Sequence, residues 1–495
     1  MNDFRSSFLK SRLAKLPPLP DLAQDDQGTS QPPPPPPPNR ISGDRLRGRK
    51  GLYSPLKAEG CFEQALEVKV QDRHQPIPGL EPGDHEDEDE ELVFRAYYTP
   101  PRSRSKPTLP KTGGEIPTLS SSMDGGTSQS ASIVIPSDAL ELNLSSGDLG
   151  EVDDDDGEDT DEETHDAGTL FVLHHGAGYS GLSYALVAKE ITRLTEGQVG
   201  VLAMDCRGHG KTYSSDNKTS DLSLSTLTRD LISLLITMFP SNNSMPKLVL
   251  VGHSMGGAVV ASACHVITHS GLAKVAGIAV LDVVEGTAIQ ALPAMKAIVQ
   301  SQPQGFESVE EAIRWHIDSK TINNLESARI SVPPLLVPNP NFDKARRDEG
   351  EEGGEEAWKE EMEELRDYDD EQSPTTNSVE GASVQAAKLD SEAKPLIWRT
   401  DLLSSEPFWQ GWFKDLSSRF LSARTARLLV LAGADRLDRE LMIGQMQGKY
   451  QMVVIPDVGH CLQEDAPERT AKILVDFWRR NDSISIGGIK KVGEF

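Results

Sequence analysis

The stretch Lys247–Ser262 (KLVLVGHSMGGAVVAS) constrains this chain more than any other. An apolar run, Leu248–Val251, stops at Gly252-His253-Ser254-Met255-Gly256-Gly257, and small or apolar residues then recur at helical spacing as far as Cys264 and Ile267. A short apolar run bounded by turn residues is strand-like, and a recurrence near 3.6 residues is helical. The pattern therefore requires a strand, a sharp turn and a helix. Glycine at 252 and 256 keeps Cβ atoms out of the space where strand and helix converge, and it tolerates unusual backbone angles. Ser254 is left at the apex.

G-x-S-x-G between a strand and a helix is the nucleophile elbow of α/β-hydrolases, in which a strained turn raises a serine Oγ above a sheet. Ser254 is the candidate nucleophile; the plainer alternative is a serine that caps the helix. The surrounding sequence repeats the same alternation. Strands are predicted at Thr169–Leu173, Val199–Met204, Val275–Leu281, Arg427–Ala432 and Gln451–Ile455, with helices ending near Leu194 and spanning about Leu224–Phe239 and Pro467–Arg480. Such βαβ units imply an α/β fold with a mostly parallel central sheet flanked by helices. Alternating residues at Phe62–Val70 and Leu92–Tyr98 predict an edge hairpin, and Ala288–Arg329 reads as a helical lid over the site.

Composition explains why 495 residues need not mean several globular domains. The chain carries 33 Pro, a net charge of −27 and only 5% aromatic residues, with the charge gathered in blocks. Residues 1–58 read as a disordered tail, with polyproline at Pro32–Pro38 followed by the basic GDRLRGRK, and 59–98 as the first strands of the folded domain. Residues 99–166 read as a disordered acidic spacer ending in EVDDDDGEDTDEE, which lacks the spacing of a calcium loop. Residues 167–332 hold the hydrolase core and the start of the lid, 333–394 a long disordered acidic insertion in that lid, 395–480 the rest of lid and core, and 481–495 a tail.

An acidic chain argues against nucleic-acid binding, since the phosphate backbone would repel it. No apolar stretch is long enough to span a bilayer, and no signal peptide opens the sequence. Four scattered cysteines without a C-x-x-C pair indicate neither zinc nor disulfides and fit a reducing, intracellular location, in cytoplasm or nucleus; a monomer is expected. No metal-ligand spacing or dinucleotide glycine fingerprint is present, so no metal and no cofactor are expected.

Acyl transfer needs a nucleophile, a base, a group to orient the base, and donors for the developing oxyanion. His460, after the last predicted strand, is the candidate base, in the chain order serine, acid, histidine. Two aspartates end successive strands, Asp282 and Asp435, and position in the fold alone leans toward Asp435. Backbone N–H groups of Met255 and of Gly176 or Ala177, in the loop His175-Gly176-Ala177-Gly178, are the candidate oxyanion donors. Asp205 and Arg207 in DCRGHG read as loop braces.

Longer segments narrow this further. LVLVGHSMGGA, AVLDVVEGTAIQAL, NLESARIS, WRTDL with FWQGWF, and LLVLAGADRLDRELMIGQMQGKYQMVVIPDVGHCLQEDAP resemble the protein phosphatase methylesterase family across most of 168–480, as do LPPLP, GRKGLYSPL and CFEQALEVKV nearer the start. The resemblance implies a serine carboxylesterase that removes the methyl ester from the C-terminal leucine of the protein phosphatase 2A catalytic subunit through an acyl-enzyme. It also moves the acid to Asp282, in DVVEG, and assigns Ser254 and His460 as nucleophile and base. Where the family has H-G-G-G-H, this chain has His175-Gly176-Ala177-Gly178-Tyr179, in which Ala177 still offers a backbone donor. A small-ester hydrolase and a non-enzymatic phosphatase-binding scaffold are the competing readings.

Overall fold

A computed structural model of the protein describes residues 51–70, 92–102, 167–214, 221–240, 244–342, 394–433 and 437–482, all within the unit formed by residues 51–495. The tail before residue 51, the spacer over 103–166, the insertion over 343–393, Asp435 and the residues after 482 lie outside the described residues.

Nine strands among the described residues form one sheet. In chain order they are β1 (Gln64–Val70), β2 (Leu92–Thr99), β3 (Thr169–His174), β4 (Val199–Met204), the two-residue β5 (Tyr213–Ser214), β6 (Lys247–His253) and β7 (Val275–Leu281), and then, beyond a smaller sheet of β8 (Gly305–Phe306), β9 (Leu336–Pro338) and β10 (Leu396–Trp398), β11 (Ala426–Leu431) and β12 (Gln451–Val454). Spatial order is β1-β2-β4-β3-β6-β7-β11-β12, with β5 on β2. From β4 to β12 every neighbouring pair is parallel. The predicted hairpin is present, but only β1 is an edge: β2 pairs with β1, β4 and β5 and is buried along nearly its whole length.

The central parallel strands are mostly apolar because both faces are covered. In β3, Leu170 and Val172 face one core while Phe171 and Leu173 face the other. The first core is closed by the helices Leu224–Met238 and Met255–Ser270 with Trp409 and Trp412, the second by the helices Ala185–Leu194 and Pro467–Asp482. Two of the buried indole N–H groups find acceptors: Trp412 Nε1 donates to the Leu222 carbonyl at 2.6 Å and Trp409 Nε1 to Ser405 Oγ at 2.8 Å.

The cap differs from the expected run of helix. After the helix Glu285–Gln300 the chain forms β8, the helices Val309–Asp318 and Leu325–Ser331, a turn and β9, and β10 then pairs with both β8 and β9. Strands of two or three residues are too short to show a period, so the sequence pattern merged them with their neighbours. The insertion accordingly begins later than residue 333: Pro333–Pro338 is a turn and strand, buried as far as Val337. Residues 51–58 are likewise folded and not tail, with Leu56 N–H donating to the Arg329 carbonyl at 2.9 Å and the Arg314 guanidinium 5.1 Å from the centre of the Tyr53 ring.

A chain reversal sits where the sheet order turns. β3 is flanked by β4 on one side and β6 on the other, so the loops after β3 and β6 open side by side at the carboxyl ends of the strands, where open α/β sheets place their sites. A Cβ on Gly252 would lie 2.6 Å from the Gly257 nitrogen, and one on Gly256 would lie 2.6 Å from the His175 carbonyl oxygen. Gly256→Ala should lower stability to urea by about 1–3 kcal/mol, the usual cost of overpacking. Gly411→Ala, on an open helix surface with nothing within 4 Å, should be neutral or slightly stabilising in the same titration.

Candidate active site

Four loops at the carboxyl ends of β3, β6, β7 and β12 assemble the site. Ser254 occupies the elbow between β6 and its helix with φ 53° and ψ −119°, a region L-residues rarely adopt. Its N–H donates to the Leu281 carbonyl at 3.1 Å, which ties the apex to the end of β7. The next residue, Asp282, also has a positive φ, 49°, so its carboxylate leaves the strand direction and turns into the site.

Asp282 is held on all sides. Its N–H donates to the Val430 carbonyl at 2.8 Å, its Oδ1 accepts from Ala432 N–H at 2.8 Å, and its Oδ2 accepts from His460 Nδ1 at 2.9 Å. Because a carboxylate only accepts, Nδ1 of His460 carries the proton and Nε2 is left with a lone pair. The Asp282 side chain is fully buried whereas that of His460 is 43% exposed, so the imidazole stands at the solvent edge of a dry anchor. Asp282 thus meets His460, whereas Asp435, the aspartate that position alone leans toward, lies outside the described residues.

The glycine loop after β3 abuts the elbow: a Cβ on Gly176 would lie 3.2 Å from Ser254 Cβ and 2.8 Å from His253 Nδ1. Met255 begins the elbow helix, where first-turn N–H groups have no partner inside the helix. Ala177 follows Gly176 in the same loop, half-buried against the first core.

Sequence reasoning passed over the histidines that shape these loops. His253, the variable residue of G-x-S-x-G, donates from Nε2 to the His460 carbonyl at 2.9 Å, and the two rings lie 4.6 Å apart. His175 accepts from Cys206 N–H at Nε2 (2.9 Å) and donates from Nδ1 to the Gly176 carbonyl (2.8 Å). His209 accepts from Gly178 N–H at Nε2 and donates from Nδ1 to the Arg207 carbonyl, both at 2.9 Å. Both rings thus stitch the glycine loop to the loop after β4. Asp205 and Arg207 are braces, as expected: Asp205 accepts from Gly181 and Lys211 N–H, and Arg207 forms a buried two-point pair with Asp230.

Burial keeps these imidazoles neutral. It lowers His253 to about 3, with His460 contributing, and His209 to about 4, and it pushes His175 well down. Behind His460, burial has the opposite effect on a carboxyl: Glu464 rises from 4.5 to about 8 although Ser331 and Ser327 hydroxyls donate to it. Among the described residues no group of three or more His, Cys, Asp or Glu side chains is arranged to hold a metal ion, and no helix is long and apolar enough to cross a membrane.

An acidic residue, an imidazole and a strained serine, placed after β7, β12 and β6 at the carboxyl ends of a doubly covered parallel sheet, define a class. The profile of the alpha/beta hydrolase family matches residues 171–473, and the chain belongs to that family. Within it, the chain is 38% identical over 435 residues to protein phosphatase methylesterase 1 of Cryptococcus neoformans var. neoformans serotype D, covering 88% of this chain and 80% of the relative. It is 44% identical over 323 residues to protein phosphatase methylesterase 1 of Gibberella zeae, covering 64% of this chain and 68% of the relative. It is a member of the protein phosphatase methylesterase family, and so a carboxylic ester hydrolase.

The two kinds of buried group give stability opposite slopes with pH. Between about 4 and 6.5 the folded state, with His209 neutral, binds fewer protons than the unfolded chain, so stability is complete above 6.5 and lost as pH falls. Glu464 keeps its proton in the folded state to about 8 but would release it near 4.5 when unfolded, so its contribution is complete at low pH and lost as pH rises toward 8. Thermal melts from about pH 6.5, where the His209 contribution is complete, to about pH 8, where the Glu464 contribution ends, should therefore show a smaller decline for Glu464→Gln than for the wild type. Equal declines would mean that Glu464 is already ionised in the fold.

Proposed function

We propose that the chain demethylates the C-terminal leucine methyl ester of the protein phosphatase 2A catalytic subunit, with Ser254 as nucleophile, His460 as base and Asp282 as its orienting acid. His460 Nε2 takes the Ser254 hydroxyl proton as Oγ attacks the ester carbonyl. Backbone N–H groups of Met255 and of Gly176 or Ala177 stabilise the oxyanion. Collapse expels methanol, protonated by the imidazolium, and leaves an acyl-enzyme. Water, deprotonated by the same imidazole, then releases the free carboxylate and restores Ser254.

One observation carries this reading: the Nδ1 to Oδ2 hydrogen bond of 2.9 Å between His460 and Asp282, with His460 tied through its carbonyl to His253, the residue before the strained Ser254, in a chain of the methylesterase family. Asp282 fixes the tautomer that leaves Nε2 basic and offsets the charge that appears on the ring during attack. The exposure of His460 suits a substrate that is the end of another protein's chain. Four buried, free cysteines fit a reducing compartment, in keeping with intracellular action in cytoplasm or nucleus.

The test is loss of methyl from the carboxymethylated phosphatase 2A catalytic subunit, followed alongside hydrolysis of p-nitrophenyl acetate. Wild type should demethylate the subunit, and Ser254→Ala and Asp282→Asn should be slower by about a thousandfold or more while remaining folded. A wild type that cleaves the small ester but leaves the methylated subunit intact would overturn the substrate assignment alone.

A further inference from the structure

The segment that carries His460 is gripped at the backbone of two adjacent residues, Gly459 and His460. On the elbow side His253 Nε2–H donates to the His460 carbonyl. On the other side the grip comes from Asp465, in the short helix Leu462–Asp465. Asp465 Oδ2 accepts from Gly459 N–H at 2.6 Å and from Asn323 Nδ2 at 2.6 Å, while Oδ1 accepts from Asn323 N–H at 2.7 Å. The fit at Gly459 is close, since a Cβ there would lie 3.1 Å from Asp465 Oδ2 and 3.4 Å from Asn323 Nδ2.

Asn323 belongs to the cap. It lies in the loop between the helices Val309–Asp318 and Leu325–Ser331, next to Asn324, whose side chain caps the second helix. Glu464, beside Asp465, is bound in turn by Ser327 and Ser331 of that helix. The segment that follows the base is therefore fastened to the cap by side chains 133 to 142 residues away in sequence.

We propose that Asp465 is a positioning residue for His460: through Gly459 N–H it sets the peptide that aims the imidazole, and through Asn323 it makes that aim depend on the cap. The chemistry requires a carboxylate. Three N–H donors converge on its two oxygens, so an amide in its place sets an N–H₂ group against a donor. Misplacement of a catalytic group by about 1 Å can cost on the order of a hundredfold in rate. Asp465 needs no contact with substrate to exert this effect.

The inference rests on His460 being the base, so its test separates the two. For wild type, Asp465→Asn, Asn323→Ala, the double variant and His460→Ala, kcat and KM are measured with p-nitrophenyl acetate, together with melting temperature and hydrogen exchange in the peptide containing Gly459. Asp465→Asn should lower kcat by about ten- to a hundredfold with KM within about twofold, and should speed exchange at Gly459. Asn323→Ala, a change at an exposed residue, should act in the same direction. The double variant should be no worse than Asp465→Asn alone, since residues of one network are not additive. An unchanged kcat in folded Asp465→Asn, or multiplying effects in the double variant, would overturn the proposal. Wild-type activity in His460→Ala would overturn the base assignment and this inference with it.

Discussion

Close backbone approach at the elbow is the constraint on which the rest depends. Gly252 and Gly256 let the end of β6, the start of its helix and the carbonyls of His174 and His175 occupy space that a single methyl group would fill. That contact drives Ser254 to φ 53° and presents its side chain above the sheet. Strain of this kind, on the order of 1–3 kcal/mol per residue, persists only where the surroundings over-determine the backbone. Here they do so through the Ser254 N–H bond to Leu281 and the parallel register of β3, β6 and β7. Asp282, with its own positive φ, is the second residue held this way, by Val430 on β11 and by Ala432 just beyond its end.

Electrostatics divides the site into a dry frame and a wet edge. His175, His209 and His253 are buried, neutral and used as hinges between loops, each with one ring nitrogen donating to a carbonyl. Their neutrality matters because a charged imidazole beside His460 would oppose the charge that ring acquires during catalysis. His460 itself is the half-exposed member, anchored on a buried carboxylate. Asp205 and the Arg207–Asp230 pair extend the frame outward, satisfying backbone donors and one another where unpaired charge would cost several kcal/mol.

Much of this was legible in the order of residues, and the failures have physical reasons. The parallel strands could be read because burial on both faces leaves an unbroken apolar run, and the elbow because glycine is required wherever backbones nearly touch. The cap could not: β8, β9 and β10 are two or three residues long, and their pairing joins Gly305 and Phe306 to Leu396 and Ile397 across the acidic insertion. Of the strand-terminal aspartates Asp282 and Asp435, position in the fold leaned toward the latter, and only family resemblance favoured the former. Asp465 and the bracing histidines carried no signal, because a short-range pattern cannot say which distant donor a side chain will meet.

The sequence by itself determined the layered α/β architecture, the turn that exposes Ser254 and the histidine at the end of the last strand, since these follow from hydrophobic period and glycine placement, which are local. Tertiary structure alone decided how Asp282 is held against His460, which imidazoles stay neutral, and how the base loop is tied to the cap. Those outcomes depend on hydrogen bonds and desolvation between residues as much as 207 positions apart, as between His253 and His460, and only the folded chain brings such residues together.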